Sequence, residues 1–158
     1  MKTSEWDFRF PHFAPEEFFS PEGLVIFHQK NIIPCDTALV FGLESLRTHL
    51  NWEREEGIIK ADKEITLVVN SGNRRLRGFV TPREWVYERP KTEGQLFSFH
   101  LFCAADVSSP EVTPRVIFDA ASFPSRVGGG FGFRGIVEYS WGVHLDRRCS
   151  DVYVKGKN

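Results

Sequence analysis

The clearest periodicity in the chain is a leucine stripe. Leu39, Leu43, Leu46 and Leu50 recur at spacings of four, three and four, which puts them on one face of a helix. This helix starts at Asp36 or Thr37 and runs to about Glu56. Glu53, Arg54, Glu55 and Glu56 make its solvated end and Gly57 its stop. The apolar run from Glu64 to Asn70 is continuous and β-branched, which predicts a strand covered on both faces. Asn70-Ser71-Gly72-Asn73 then reads as a turn. Residues 78–95 read as a long loop with one helical turn near Arg83–Tyr87, and residues 96–107 as the next strand. Ser108, Ser109 and Pro110 break that strand. Thr113-Pro114 has the form of an N-cap followed by proline at N1, and predicts a helix of about two turns from Pro114 to Ser122. A glycine-rich stretch, residues 127–133, leads into a hairpin over 131–147. Val152-Tyr153-Val154 is a short apolar stretch in an otherwise polar tail.

Residues 1–35 lack this regularity. Phe8, Phe10, Phe13, Phe18 and Phe19 alternate with Pro11, Pro15 and Pro21, and Ala14 to Phe18 reads as one helical turn with proline early and acids following. So aromatic an arm is expected to pack on the rest of the chain. No repeat, linker or low-complexity segment divides the sequence. The expectation is a single α+β domain over 1–158, a small antiparallel sheet with helices packed on it.

Composition narrows the function classes. Aromatic residues make up 14% of 158, with 15 Phe and 4 Trp, which suits a packed core rather than disorder. The net charge of -1 gives no electrostatic footing for nucleic acid or an acidic membrane surface. No apolar run approaches the roughly 18–20 residues that span a bilayer. Cys35, Cys103 and Cys149 are odd in number and form no Cys-x-x-Cys pair. That argues against a disulfide framework or a cysteine zinc site, and favours a reducing compartment. Cys103, in an apolar run, reads as a small buried residue. The first residues lack the apolar core of a signal peptide. The expected location is the cytoplasm until release, and the expected state is a monomer.

Two segments carry candidate chemistry. Ser98 to Asp106 holds His100 and Asp106, and Gly142 to Arg147 holds His144 and Asp146. Both read as strand, so His144 and Asp146, two apart, point to one side. Two imidazoles and two carboxylates on strands that could pair are the material of an open zinc site, which takes three N or O ligands and a water. A His-x-Asp on an apolar strand is an expensive arrangement unless paired or metallated.

Four stretches, in order, resemble the zinc peptidases of the D-Ala-D-Ala carboxypeptidase type, especially the murein endopeptidase K and phage endolysin branch, whose fold is shared with the hedgehog signalling domain. Phe13 to Phe18 resembles the family's F-x-x-x-E-F. Val69 to Arg74 resembles a strand ending in S-G-x-R. Ser98 to Asp106 resembles S-x-H-x-x-G-x-A-x-D. Gly130 to Phe133, then Trp141 to Arg147, resembles G-x-G-x with a terminal F-V-H-x-D-x-R. The resemblance implies a hedgehog- or DD-peptidase-like fold and hydrolysis of peptide bonds in peptidoglycan stems. It implies that His100, Asp106 and His144 bind Zn2+. It further implies that Arg74 holds a substrate carboxylate and that Asp146 is the acid nearest the metal-bound water. Ser98 is a candidate hydrogen-bond donor to a ligand or to substrate.

The chain departs from the pattern at definite places. His100 and Asp106 are six apart where the family has seven, Phe102 and Cys103 stand where it has glycine, and Asn73 stands where it has tyrosine. Deleting one residue from a strand flips every later side chain. The alternative is therefore a non-catalytic phage or bacterial binding module that keeps the fold without the metal. Other assignments are bland. Asp106 could be a turn or cap residue, and Asp146 could pair with Arg134, Arg147 or Arg148. Glu138 is a rival base but reads as a solvated acid in the hairpin loop. His12, His28 and His49 read as non-ligands, His49 as a surface residue. The Gly128–Gly130 run lacks the Lys-Ser/Thr of a phosphate loop and reads as a turn needing positive φ.

Overall fold

The computed structural model describes residues 1–71, 103–126, 130–147 and 153–157. After a 3₁₀ turn at Thr3–Glu5, the elements are α1 (Trp6–Arg9), α2 (Pro15–Phe18), α3 (Pro21–Lys30), α4 (Thr37–Glu55), β1 (Val68–Ser71), β2 (Ala104–Ser108), α5 (Pro114–Arg126), β3 (Gly135–Glu138), β4 (Val143–Asp146) and β5 (Tyr153–Lys155). The strands form a five-stranded sheet in the order β1-β2-β4-β3-β5. The fold is small and α+β, as expected. The sheet, however, is mixed. Pairs β1–β2, β2–β4 and β3–β4 are antiparallel, but β5 joins β3 in parallel. The apolar tail stretch therefore adds an edge strand, which local pattern alone did not reveal.

Helix α4 follows its sequence signals. Asp36 caps it, its carboxylate accepting the Ala38 N–H at 3.0 Å. Leu39, Leu43, Leu46 and Leu50 are all 0% exposed. Gly57, at φ 73°, takes the left-handed conformation just beyond the helix end. Helix α5 packs on α4, β3 and β4. It continues past the expected stop at Ser122, through Pro124 to Arg126. A proline this near a helix end removes a single intrahelical bond, so the last turn can survive it.

The strand expected at 64–70 is shorter and covered on one face only. Ile65, Leu67 and Val69 are buried while Thr66, Val68 and Asn70 are exposed. The buried face is the one that joins the core cluster, through Ile65, Leu67 and Val69. Asn70 falls at a bulge that brings Ser71 opposite Asp106, so the turn expected at Asn70 starts no earlier than residue 72. The lead into β1 is held by Asn51 of α4. Its side chain accepts the Ile65 N–H at 2.8 Å and donates to the Ile65 carbonyl at 2.8 Å.

The aromatic arm is more helical than expected. Ser20 caps α3, with Pro21 in the first turn and Asn31 in the left-handed conformation at its end. The Trp6 ring meets Phe10, Phe19 and Phe27 edge-on at 4.7, 5.2 and 5.5 Å, and its indole N–H donates to the Phe13 carbonyl at 2.7 Å. These side chains share one buried cluster with α4, α5 and the sheet. Among the described residues no helix is long and apolar enough to cross a membrane. The loop over 78–95, the strand before residue 103, Gly128, Gly129, Cys149 and Val152 lie outside the described residues. Among the described residues of this region, Gly132 has positive φ, at 78°.

Candidate functional site

Strands β2 and β4, which carry Asp106 and His144, are paired. Their antiparallel register sets Asp106 opposite His144 and Ala104 opposite Asp146. Directly opposed residues share a face of the sheet. Val143 and Leu145 enter the core from β4, leaving His144 and Asp146 together on the other face. Asp106 is thus a mid-strand residue and neither a turn nor a cap.

The three side chains form one hydrogen-bonded unit. His144 Nδ1 lies 2.8 Å from Asp106 Oδ1, and Nε2 lies 3.1 Å from Asp146 Oδ2. Asp106 and His144 are each 9% exposed and Asp146 is 0% exposed. Burial by itself would pull the imidazole pKa down. The hydrogen bonds and charges of Asp106 and Asp146 outweigh it and push the value up to about 9. At neutral pH the ring is therefore an imidazolium donating from both nitrogens. Two carboxylates around one cation offset the desolvation that each group would suffer alone.

Space for this unit comes from β3. Gly135 faces Asp146 in register, and a Cβ at position 135 would overlap the Asp146 carboxylate. Sequence reading missed this glycine. The available signal was a lone Gly leading an apolar strand, which often marks a close approach. The hairpin also carries Tyr139 and Trp141, whose exposed rings stack at 5.5 Å. Burial, then the charges of Asp106 and Tyr153, raise the Tyr139 phenol above its usual value.

The rival assignments resolve differently. Glu138 ends β3 rather than sitting in the loop, and its side chain is only 8% exposed. It accepts the Lys157 N–H at 2.9 Å and pairs with Arg115 at 3.3 Å, so it ties the tail to α5 and is no solvated acid. Arg147 turns away from Asp146 to Asp36, at 2.9 Å, and to the Gly132 carbonyl. His12, His28 and His49 lie beside Glu44, Glu16 and Glu53. His49 is partly covered, stacked on the Trp52 ring at 5.7 Å and tilted against the Phe131 ring at 5.6 Å.

Arg74, Ser98 and His100 lie outside the described residues. Among those that are described, no group of three or more His, Cys, Asp and Glu side chains is placed to hold a metal ion. The geometry gives the reason. Nδ1 and Nε2 face opposite sides of the imidazole, so a metal on one nitrogen recruits only the carboxylate on that side. Asp106 and His144 fit zinc as two of its three protein ligands in donor type; Asp146 belongs to the far edge of the ring.

No protein-family model matches this chain, no curated protein matches it, and no solved structure matches it.

Proposed function

We propose that the protein is a zinc-dependent peptidase acting on peptidoglycan stem peptides, with a hedgehog- or DD-peptidase-like arrangement of its sheet. The observation that carries the reading is the facing of Asp106 and His144 across β2 and β4. A rigid pair of strands presents an N and an O donor side by side, the chemistry that zinc takes, and His100 would complete the set. Bound zinc supplies a water whose pKa is lowered towards about 7. Arg74 would hold the substrate carboxylate in a bidentate clamp. Tyr139 and Trp141, on the hairpin that carries His144, offer apolar surface beside the site.

A second reading has its own support. Each carboxylate of the Asp106–His144–Asp146 unit has the imidazole as a hydrogen-bond partner without a metal, as a non-catalytic module that keeps the fold would. Zinc content of the untagged protein separates the two. The peptidase reading expects about one zinc per chain, lost in His144→Ala and in His100→Ala, together with cleavage of muropeptides. Wild-type protein that stays metal-free after reconstitution sinks it in favour of the binding module.

A further inference from the structure

We propose that Asp146 is a positioning residue rather than the group that moves the proton: it accepts the His144 Nε2–H and so leaves Nδ1, beside Asp106, as the nitrogen presented to a metal. This rests on the zinc reading for its purpose but not for its geometry. Two carboxylates flank the ring, and they are not equivalent. Asp146 is 0% exposed. Its carboxylate lies against Gly135 with no room for even a methyl group. Neither a water nor a scissile amide could reach it there, whereas a general base must come within hydrogen-bond reach of the proton it takes. The Asp106 side chain retains 13% exposure, so the Nδ1 edge is the more open one. A catalytic metal keeps an open position for water or substrate, which places it on that edge.

The chemistry of metal-bound histidine agrees. A ligating imidazole donates its other N–H to a carboxylate, which fixes ring tautomer and orientation. The His144–Asp146 contact, at 3.1 Å between residues two apart on one strand, has that form. On metal uptake the Nδ1 proton would leave to solvent, while the other proton stays on Nε2, donated to Asp146. Gly135 belongs to the same device, because a side chain there would overlap the buried carboxylate.

The test is the tautomer of His144 in metal-free protein labelled with ¹⁵N-histidine, read by long-range ¹H–¹⁵N correlation at a pH well above 9, where the ring is neutral. Wild type should carry the proton on Nε2, donated to Asp146. Asp146→Leu should move it to Nδ1, towards Asp106. A wild-type proton on Nδ1, or an Nε2 proton that survives Asp146→Leu, overturns the proposal. If the leucine variant does not fold, the wild-type spectrum still decides. Competition with a chromophoric chelator adds a second readout: Asp146→Asn should weaken zinc affinity by about 10–100-fold, where a pure proton-transfer role would leave it unchanged. Failure of wild type to take zinc counts against the peptidase reading alone, because the tautomer is measured without metal.

Discussion

At the scale of single residues, the site is held by steric exclusion as much as by attraction. Asp146 can be buried because Gly135, opposite it on β3, has no side chain. Gly135→Ala should therefore destabilise the protein by about 1–3 kcal/mol, the usual range for overpacking a closed site. Thermal denaturation would reveal it as a lowered midpoint, and an unchanged midpoint would mean that the carboxylate has somewhere else to go. His144 and Asp146 were legible in the sequence because a period of two puts them on one face. Gly135 was not, since a glycine in a strand states nothing about which side chain lies across from it. Asp106 stood in doubt for a related reason. Its face depends on the register of β2, and a spacing that is one residue short leaves that register open.

At the scale of elements, the decisive contacts are side chains that serve two elements at once. Asp36 caps α4 through one carboxylate oxygen and binds Arg147, beyond β4, through the other. Asp36→Ala should lose the cap as well as the pair, about 1–2 kcal/mol for the cap alone. Arg147→Ala should lose a partly exposed ion pair, worth about 0–1 kcal/mol, and an exposed hydrogen bond to the Gly132 carbonyl. Urea titrations should rank the two in that order; the reverse ranking would show that the cap is dispensable. Asn51 plays the same double part between α4 and the lead into β1. Asn51→Leu leaves the Ile65 N–H and carbonyl buried without these partners, a loss of about 1–3 kcal/mol, visible as faster amide exchange at Ile65. Exchange no faster than in wild type would mean that water or backbone replaces the amide. Helix α4 itself was readable end to end, because cap, stripe and stop agree. Helix α3 was missed although Ser20-Pro21 has the same cap-and-proline form as Thr113-Pro114, because the surrounding phenylalanines and prolines suggested irregular chain.

For the whole molecule, the charged unit on the sheet couples folding to pH. The imidazole of His144 is raised from 6.5 to about 9 in the folded protein. The native state therefore holds a proton that the unfolded chain gives up between these values. Its stabilising contribution is complete below about pH 6.5 and is lost as pH rises through about 9, on the order of 3 kcal/mol. Denaturant midpoints of metal-free protein should fall between pH 6 and pH 9.5, and His144→Gln should flatten that fall. Equal slopes in the two proteins would contradict it. What the amino-acid sequence determined by itself were the quantities set by neighbours a few positions apart: the span and buried face of α4, the hairpin, the shared face of His144 and Asp146, the packing of the aromatic arm. Only the tertiary structure decided the rest. The parallel addition of β5, the meeting of Asp106 with His144 and the glycine that makes room for Asp146 all depend on which strands become neighbours. Strand neighbours are chosen by burial across the whole chain, and no local periodicity encodes them.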